Sequence, residues 1–144
     1  MKVNIFYASW YGNGKKLVEE LATILKGKKQ DVKVFSLMEE PVGTIPDADL
    51  YLFSSPTRRF SLPANVKEFI GSFTPPKKQA RYALMTTYMD PRTIGLRKMG
   101  AALDAKGMLK AAGDLKIKSL GIKGPLEKEY GVKLAAFAEE LLKA

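Results

Sequence analysis

The amino-acid sequence predicts an α/β protein that is built on a parallel sheet with helices on both of its faces. Short apolar runs alternate with longer amphipathic segments along the whole chain, a pattern typical of βαβ units. Two central runs, 50–53 and 82–85, are apolar at consecutive positions, as expected for strands that are covered on both faces. The loops between segments are short. We therefore expect one domain over residues 1–144.

The strands are predicted from runs rich in β-branched, aromatic and other apolar residues. They lie at residues 2–8, 31–37, 49–55 and 80–87, and a fifth falls within 108–122. The fifth is the least regular, because glycines interrupt a lysine-rich and weakly apolar stretch. We expect an irregular or bulged strand there, at the edge of the sheet.

The helices are predicted where apolar residues recur every three or four positions between the strands. They lie at about 14–27, 63–73, 93–106 and 126–143. Pro63 suits the first turn of the second helix, where its missing N–H is not needed. We interpret the apolar stripes of these helices as core and assign them no function.

The composition excludes several kinds of chemistry. The chain has no cysteine and no histidine, which excludes disulfides, iron–sulfur ligation, the usual zinc sites and catalytic groups that depend on histidine. The sequence also lacks a carboxylate pair, a nucleophile elbow and a P-loop, so we predict no catalytic residue and no metal ligand. A redox role would have to come from a bound cofactor.

The formal net charge of +9 favours acidic partners or anionic ligands. The charge is diffuse and no known nucleic-acid module supports it, so we expect no nucleic-acid partner. The chain has no apolar run of the roughly 18 residues that a membrane span needs. It also lacks a basic segment followed by an apolar one at its start. We therefore expect no membrane association and a cytoplasmic location.

The most informative segment joins the first strand to the first helix. It consists of Ser9, Trp10, Tyr11, Gly12, Asn13 and Gly14. A strand that turns directly into a helix presents unpaired backbone N–H groups and the positive end of the helix. Gly12 and Gly14 allow a ligand to approach the backbone, and Ser9 and Asn13 carry side-chain donors. The segment is a candidate phosphate site.

Two further segments follow strands that end at the same edge of the predicted sheet. The first comprises Ser55, Pro56, Thr57, Arg58, Arg59 and Phe60, and the second comprises Thr87, Tyr88 and Met89. In open parallel sheets, ligands bind beyond the carboxyl ends of the strands, where the strand order reverses. Trp10, Tyr11, Phe60 and Tyr88 are candidates to flank a planar ring. Three such loops predict a flat or phosphorylated ligand.

These loops resemble those of the flavodoxin family. The phosphate loop of that family has the pattern Ser/Thr-x-Thr-Gly-x-Thr; Ser9, Gly12 and Asn13 match it, whereas Tyr11 and Gly14 replace two hydroxyl residues. Residues 55–69 are similar to the flavin loop and following helix of flavodoxin-like quinone reductases. The resemblance implies a flavodoxin-like three-layer sandwich, with an open five-stranded parallel sheet in the order 2-1-3-4-5.

The resemblance also implies that the chain binds FMN and transfers electrons. One alternative is an NAD(P)H-dependent quinone or flavin reductase of the same fold. Another is a flavin-free phosphate- or protein-binding module, which Tyr11 and Gly14 favour. Arg58 or Arg59 would stabilise a reduced flavin or pair with its phosphate. Known flavodoxins are acidic and this chain is basic, so we expect a redox partner with an acidic patch. The oligomeric state stays open.

Overall fold

Strands and helices alternate along the chain in the computed structural model, which describes residues 1–38, 43–56, 62–90, 92 and 94–143. The strands are β1 (Lys2–Tyr7), β2 (Asp31–Ser36), β3 (Leu50–Pro56), β4 (Arg81–Tyr88), β5 (Leu109–Lys110) and β6 (Leu115–Lys118). The helices are α1 (Asn13–Gly27), α2 (Ala64–Ser72), α3 (Ile94–Ala105) and α4 (Tyr130–Lys143). In this part of the chain, no helix combines the length and the apolar character that crossing a membrane requires.

All the paired strands are parallel, and the sheet has the order β2-β1-β3-β4-β5. β6 pairs with β4 beyond the end of β5, from Met85 to Tyr88. The predicted order is therefore confirmed, with the fifth strand divided into two short pieces. The chain passes from β1 outward to β2 and then crosses back to β3 on the other side of β1, so the strand order reverses beside β1. Ligands bind at the carboxyl side of such a point.

The division of the edge strand has a local cause. Ala111 N–H still donates to Tyr82 O at 2.7 Å, but Gly113 N–H turns to the Glu140 carboxylate of α4 at 2.9 Å. Lys110 and Asp114 form an ion pair across the gap, at 2.8 Å. Because the Glu140 carboxylate accepts the Gly113 N–H in place of a ladder bond, the backbone can leave the sheet at this point with that donor paired. The prediction of an irregular edge strand is confirmed.

The sheet separates two cores of different character. On one face, β1, β3, β4 and β6 pack against α1 and α4 through mostly aliphatic side chains. On the other face, α2 and α3 cover an aromatic cluster in which Phe6 stacks on Phe35 and Phe53, with centroid distances of 5.2 and 5.4 Å. Each such buried side chain contributes about 1.5–3 kcal/mol. The two layers fix the positions of the loops at both ends of the sheet.

Two predicted boundaries differ from the structure for identifiable reasons. α4 begins at Tyr130 rather than near residue 126, because Leu126 forms an antiparallel bridge with Ser119 and Glu127 N–H donates to Lys118 O at 2.9 Å. Pro63 precedes α2 as its cap, in an extended conformation, instead of lying in its first turn. The first difference matters more, because the bridge between Ser119 and Leu126 turns residues 119–126 back on themselves at the carboxyl end of β6.

Candidate functional site

A cavity of about 490 Å³ lies at the carboxyl ends of the central strands, within the size range of small-molecule and cofactor sites. It is formed by the ends of β1, β3 and β4 and by the turn that follows β6. Its lining residues are Ala8, Ser9, Trp10, Tyr11, Asn13, Gly14, Pro56, Thr87, Tyr88, Met89, Asp90, Ser119, Gly121 and Ile122. The cavity therefore lies at the edge that the sequence predicts.

The turn between β1 and α1 leaves backbone donors available at this cavity. Gly12 caps α1 in the left-handed conformation, with φ of 91°, and no side chain bonds to the cap. The first closed bond of the helix runs from Lys16 N–H to Gly12 O at 2.9 Å. Among the described residues, the N–H groups of Asn13, Gly14 and Lys15 have no acceptor. Such a helix start is suited to bind an anion.

The two glycines of this turn serve different purposes. A Cβ on Gly12 would meet no atom within 4 Å, so its positive φ is what requires glycine and the space above it is open. A Cβ on Gly14 would lie 3.3 Å from Ala8 O and 3.5 Å from Ser9 Cβ. Gly14 therefore lets the first turn of α1 pack closely against the end of β1. A threonine, as in the flavodoxin pattern, would have to displace this backbone.

The first turn of α1 carries positive rather than negative side chains. It contains no acidic residue, and Lys15 and Lys16 follow Gly14. These cations oppose the helix dipole, typically by about 0.3–1 kcal/mol each, and a bound anion would reverse that sign. Lys16 Nζ lies 5.3 Å from the centre of the Tyr130 ring. Lys15 is exposed and lies 4.0 Å from Glu19.

Asn13 joins the first turn of α1 to the segment after β6. Its Nδ2 donates to Ser119 Oγ and to the carbonyl oxygen of Ile122, both at 3.1 Å. Both amide hydrogens are thus used inside the protein. A Cβ on Gly124, whose φ is 97°, would lie 3.1 Å from Asn13 Oδ1. Asn13 therefore positions the cavity wall, and the backbone N–H groups and the Ser9 hydroxyl remain as donors of this turn.

The segment Ser119–Gly124, here called the edge loop, forms a wall of the cavity that the sequence pattern does not predict. Ser119 hydroxyl donates to Gly121 O, Gly124 N–H donates to the same oxygen at 3.1 Å, and Leu120 N–H donates to Pro125 O at 2.9 Å. A Cβ on Gly121 would lie only 2.9 Å from Gly124 O. The available signal was topological, because the fifth strand must also end at the carboxyl edge.

The walls of the cavity expose apolar and aromatic surface. Trp10 is 36% exposed, Tyr11 52% and Met89 53%. Tyr88, at the end of β4, is half-buried. Large apolar side chains are usually covered, and such surface around a cavity is typical of a ligand site or a contact surface. Aromatic faces and edges can hold a planar ring by offset stacking or edge contact.

The predicted site residues differ in where the structure places them. Nine of them line the cavity together: Ser9, Trp10, Tyr11, Asn13, Gly14, Pro56, Thr87, Tyr88 and Met89. Gly12 shapes the turn behind it. Ser55 is buried away from it, since its hydroxyl donates to Pro56 O at 3.0 Å and its carbonyl accepts from Thr86 Oγ1 at 2.6 Å. Thr57, Arg58, Arg59 and Phe60 lie outside the described residues.

Asp90 is the acidic residue of the cavity wall, and it is already bound. Arg92 donates to Asp90 Oδ1 through its backbone N–H at 2.9 Å and through Nε at 3.0 Å, and to Oδ2 through a terminal nitrogen at 3.0 Å. The Arg92 guanidinium holds the pKa of this carboxyl below its usual range. Asp90 thus closes a turn. Within the described ranges, no group of acidic side chains could hold a metal ion.

Comparison with known proteins agrees with this architecture. A sequence model of the flavodoxin family matches residues 5–123. Oxidised Flavodoxin 1 from Bacillus cereus is similar in structure, with a TM-score of 0.81 at 20% identity over 99% of this chain and 98% of that chain. The Streptococcus pneumonia TIGR4 flavodoxin has a TM-score of 0.79 at 19% identity, over 99% of each chain.

A larger protein contains a similar unit. The rubredoxin oxygen:oxidoreductase of Desulfovibrio gigas has a TM-score of 0.80 at 19% identity, over 99% of this chain but only 35% of that chain. A search of curated proteins gave no match. At these identities the structural likeness shows the fold, while the family match covers most of the sequence.

Proposed function

This chain belongs to the flavodoxin family, and from that premise we propose that it binds FMN non-covalently in the cavity and carries electrons between redox proteins. Membership supports a role in FMN-binding electron transfer at the level of the family. The flavin would supply the redox chemistry, and the protein would supply binding, orientation and control of access.

One observation carries the proposal: among the described residues the first N–H groups of α1 have no acceptor, and the turn that bears them borders a cavity with apolar walls. Asn13, Gly14 and Lys15 each contribute one such group, and the space above Gly12 is open. Backbone donors at a helix N-terminus suit a phosphate. They also fit a loop in which Tyr11 and Gly14 replace the hydroxyl residues of the family pattern, since backbone groups can take over the contacts of those side chains.

The remaining walls suit the flat part of the same ligand. Trp10, Tyr88 and Met89 provide aromatic and thioether surface beyond the polar turn. An amphipathic ligand with a phosphate at one end and a planar ring at the other would satisfy both halves of the cavity. FMN has this form. Arg58 and Arg59 follow β3 closely in sequence, and we propose that at least one of them contacts the flavin or its phosphate.

The sharpest test compares FMN with riboflavin, which has the same ring but no phosphate. We expect purified protein to quench FMN fluorescence and to bind FMN about 100-fold more tightly than riboflavin, a difference of about 2.7 kcal/mol. This is the magnitude that one or two hydrogen bonds to a charged group supply. Equal affinities would show that the helix start does not hold the phosphate. No binding of either would favour a flavin-free module.

A second measurement separates a carrier from a reductase. We expect the FMN-loaded protein to accept electrons from a chemical reductant one at a time, and to oxidise NAD(P)H no faster than free FMN does. Rapid, saturable NAD(P)H oxidation with a quinone or flavin acceptor would instead identify the protein as a reductase of the same fold.

A further inference from the structure

The rim of the cavity concentrates the exposed apolar surface of the protein. Nine large hydrophobic side chains are exposed among the described residues, and five of them belong to the segments around the cavity: Trp10, Tyr11, Met89, Leu120 and Ile122. Leu120 and Ile122 are 59% and 58% exposed, although both belong to the tightly bonded edge loop. A cluster of this kind is typical of a surface that another molecule covers.

The same rim carries a positive charge. The sequence of segments 8–16, 87–92 and 118–123 contains five basic residues and one acidic residue. The acidic residue is Asp90, which Arg92 already binds. Lys118 directly precedes the edge loop and Lys123 lies within it. Both are exposed, and the six ion pairs found among the described residues do not include them. These lysines are available to pair with a partner.

We propose that this rim is the docking surface for an acidic electron-transfer protein. The inference rests on the proposed function, because docking here would bring the partner's redox centre to the mouth of the flavin site. Met89, Leu120 and Ile122 would form the apolar centre of the contact, and Lys15, Lys118 and Lys123 would pair with carboxylates around it. Apolar centres with charged rims are typical of protein interfaces, and opposite charges at the rim accelerate association.

The composition of the rim favours a protein over a nucleic acid. Interfaces with nucleic acids are more polar, and their basic side chains contact phosphates along the whole surface. Here three large non-aromatic side chains, Met89, Leu120 and Ile122, are exposed in the segments that also carry the lysines or follow β4. They have no polar atoms with which to contact a phosphate or a base edge. A protein partner can cover them with apolar side chains of its own.

The test uses charge reversal at the edge loop against a matched control. The test variant is Lys118→Glu with Lys123→Glu. Lys123→Glu alone is run beside it, because the Lys118 backbone N–H donates to the Glu127 carboxylate at 2.8 Å and a second carboxylate at position 118 could disturb that contact. The control is Lys33→Glu with Lys78→Glu, two exposed residues that lie in β2 and before β4, away from the cavity. Both double variants change the net charge by the same amount.

The probe is a reduced, acidic plant-type [2Fe–2S] ferredoxin, mixed with the FMN-loaded protein in a stopped-flow instrument. Each transfer oxidises one cluster and adds one electron to the flavin. We expect the second-order rate to fall about tenfold between about 20 mM and 500 mM salt. At low salt it should fall about tenfold in the double variant, by less in Lys123→Glu, and less than twofold in the control.

Two further measurements keep the outcomes distinct. Reduction of bound FMN by dithionite in each variant tests the proposed function without a partner. If that reduction is normal but the rate with ferredoxin is insensitive to salt and to Lys123→Glu, the docking surface alone is overturned. If FMN does not bind, the proposed function fails, and calorimetric titration of the apoprotein with ferredoxin at low salt still tests the surface. Equal losses in the control, or tighter binding of a single-stranded oligonucleotide than of ferredoxin, would also overturn the proposal.

Discussion

The two ends of the sheet treat their polar groups in opposite ways. At the amino end, three lysines and three aspartates line a shallow depression. There the Asp49 carboxylate accepts Lys2 N–H at 2.7 Å and lies 3.8 Å from Lys77 Nζ. At the carboxyl end, basic residues predominate, apolar side chains are exposed, and the N–H groups that open α1 have no acceptor among the described residues.

This difference indicates which end of the sheet binds a ligand. A folded protein normally pairs its backbone donors internally, and the amino end shows that this chain can do so with its loops. The carboxyl end is not loosely built, because Asn13 and the edge loop are closely bonded. Its open donors therefore stand on a rigid support. A closely bonded end whose described backbone N–H donors still lack acceptors is suited to bind a ligand.

The largest effect is expected from Gly121→Ala. The new Cβ would lie 2.9 Å from Gly124 O, so the backbone of the edge loop must move. We expect FMN affinity to fall about 30-fold or more, or about 2 kcal/mol, as measured by fluorescence titration. Gly71→Ala in α2, where a Cβ meets no atom within 4 Å, serves as the control. An unchanged affinity for Gly121→Ala would remove the edge loop from the site.

The second effect compares two asparagines, one at each end of the sheet. Asn13→Ala removes both bonds to the edge loop, whereas Asn4→Ala removes the bond from Asn4 Nδ2 to Pro46 O at 2.8 Å. Each variant should lose about 1–2 kcal/mol of unfolding free energy in urea. Only Asn13→Ala should also lose FMN affinity, about tenfold, and expose the amides of Leu120–Gly124 to hydrogen exchange. A comparable loss of affinity in Asn4→Ala would refute the contrast between the ends.

The sequence predicts the fold and three of the four walls, because each depends on a local pattern. Apolar periodicity places the strands and helices, and the segment Ser9–Gly14 combines a strand end, glycines and a helix start. The edge loop shows no comparable pattern. It becomes a wall because Asn13 bonds to Ser119 and Ile122, more than 100 residues away in the chain. A contact over that distance is a property of the topology and cannot be inferred from local residue types.

A third prediction concerns acid stability at the two ends. Burial of Glu127 raises the pKa of its carboxyl, but Lys133 Nζ at 2.5 Å and Lys118 N–H outweigh it and lower that pKa overall. A lowered folded-state pKa adds stability above the unfolded value of 4.5, and this is lost as pH falls through the folded-state value. Glu127→Gln should therefore cost about 1 kcal/mol at neutral pH and nothing in strong acid.

The counterpart at the amino end is Asp49→Asn, since the Lys2 N–H lowers the pKa of Asp49 in the same way. Urea unfolding at neutral pH and in acid measures both variants. Because Glu127 holds Lys118 at the base of the edge loop, Glu127→Gln should also weaken FMN binding about threefold, while Asp49→Asn leaves it unchanged. A cost for Glu127→Gln that persists in acid would show that packing, not charge, holds this residue.

The smallest effect concerns the two ends of α1, which begins at one end of the sheet and finishes at the other. Gly27→Ala adds a Cβ that meets no atom within 4 Å and should stabilise the protein by up to about 1 kcal/mol. Gly14→Ser brings the hydroxyl of the family pattern closer, but its Cβ would lie 3.3 Å from Ala8 O. That contact should cancel the gain, so we expect stability to change little and FMN affinity to change less than threefold. A tenfold increase in affinity would mean that the missing hydroxyl, rather than the close packing of this turn, limits phosphate binding.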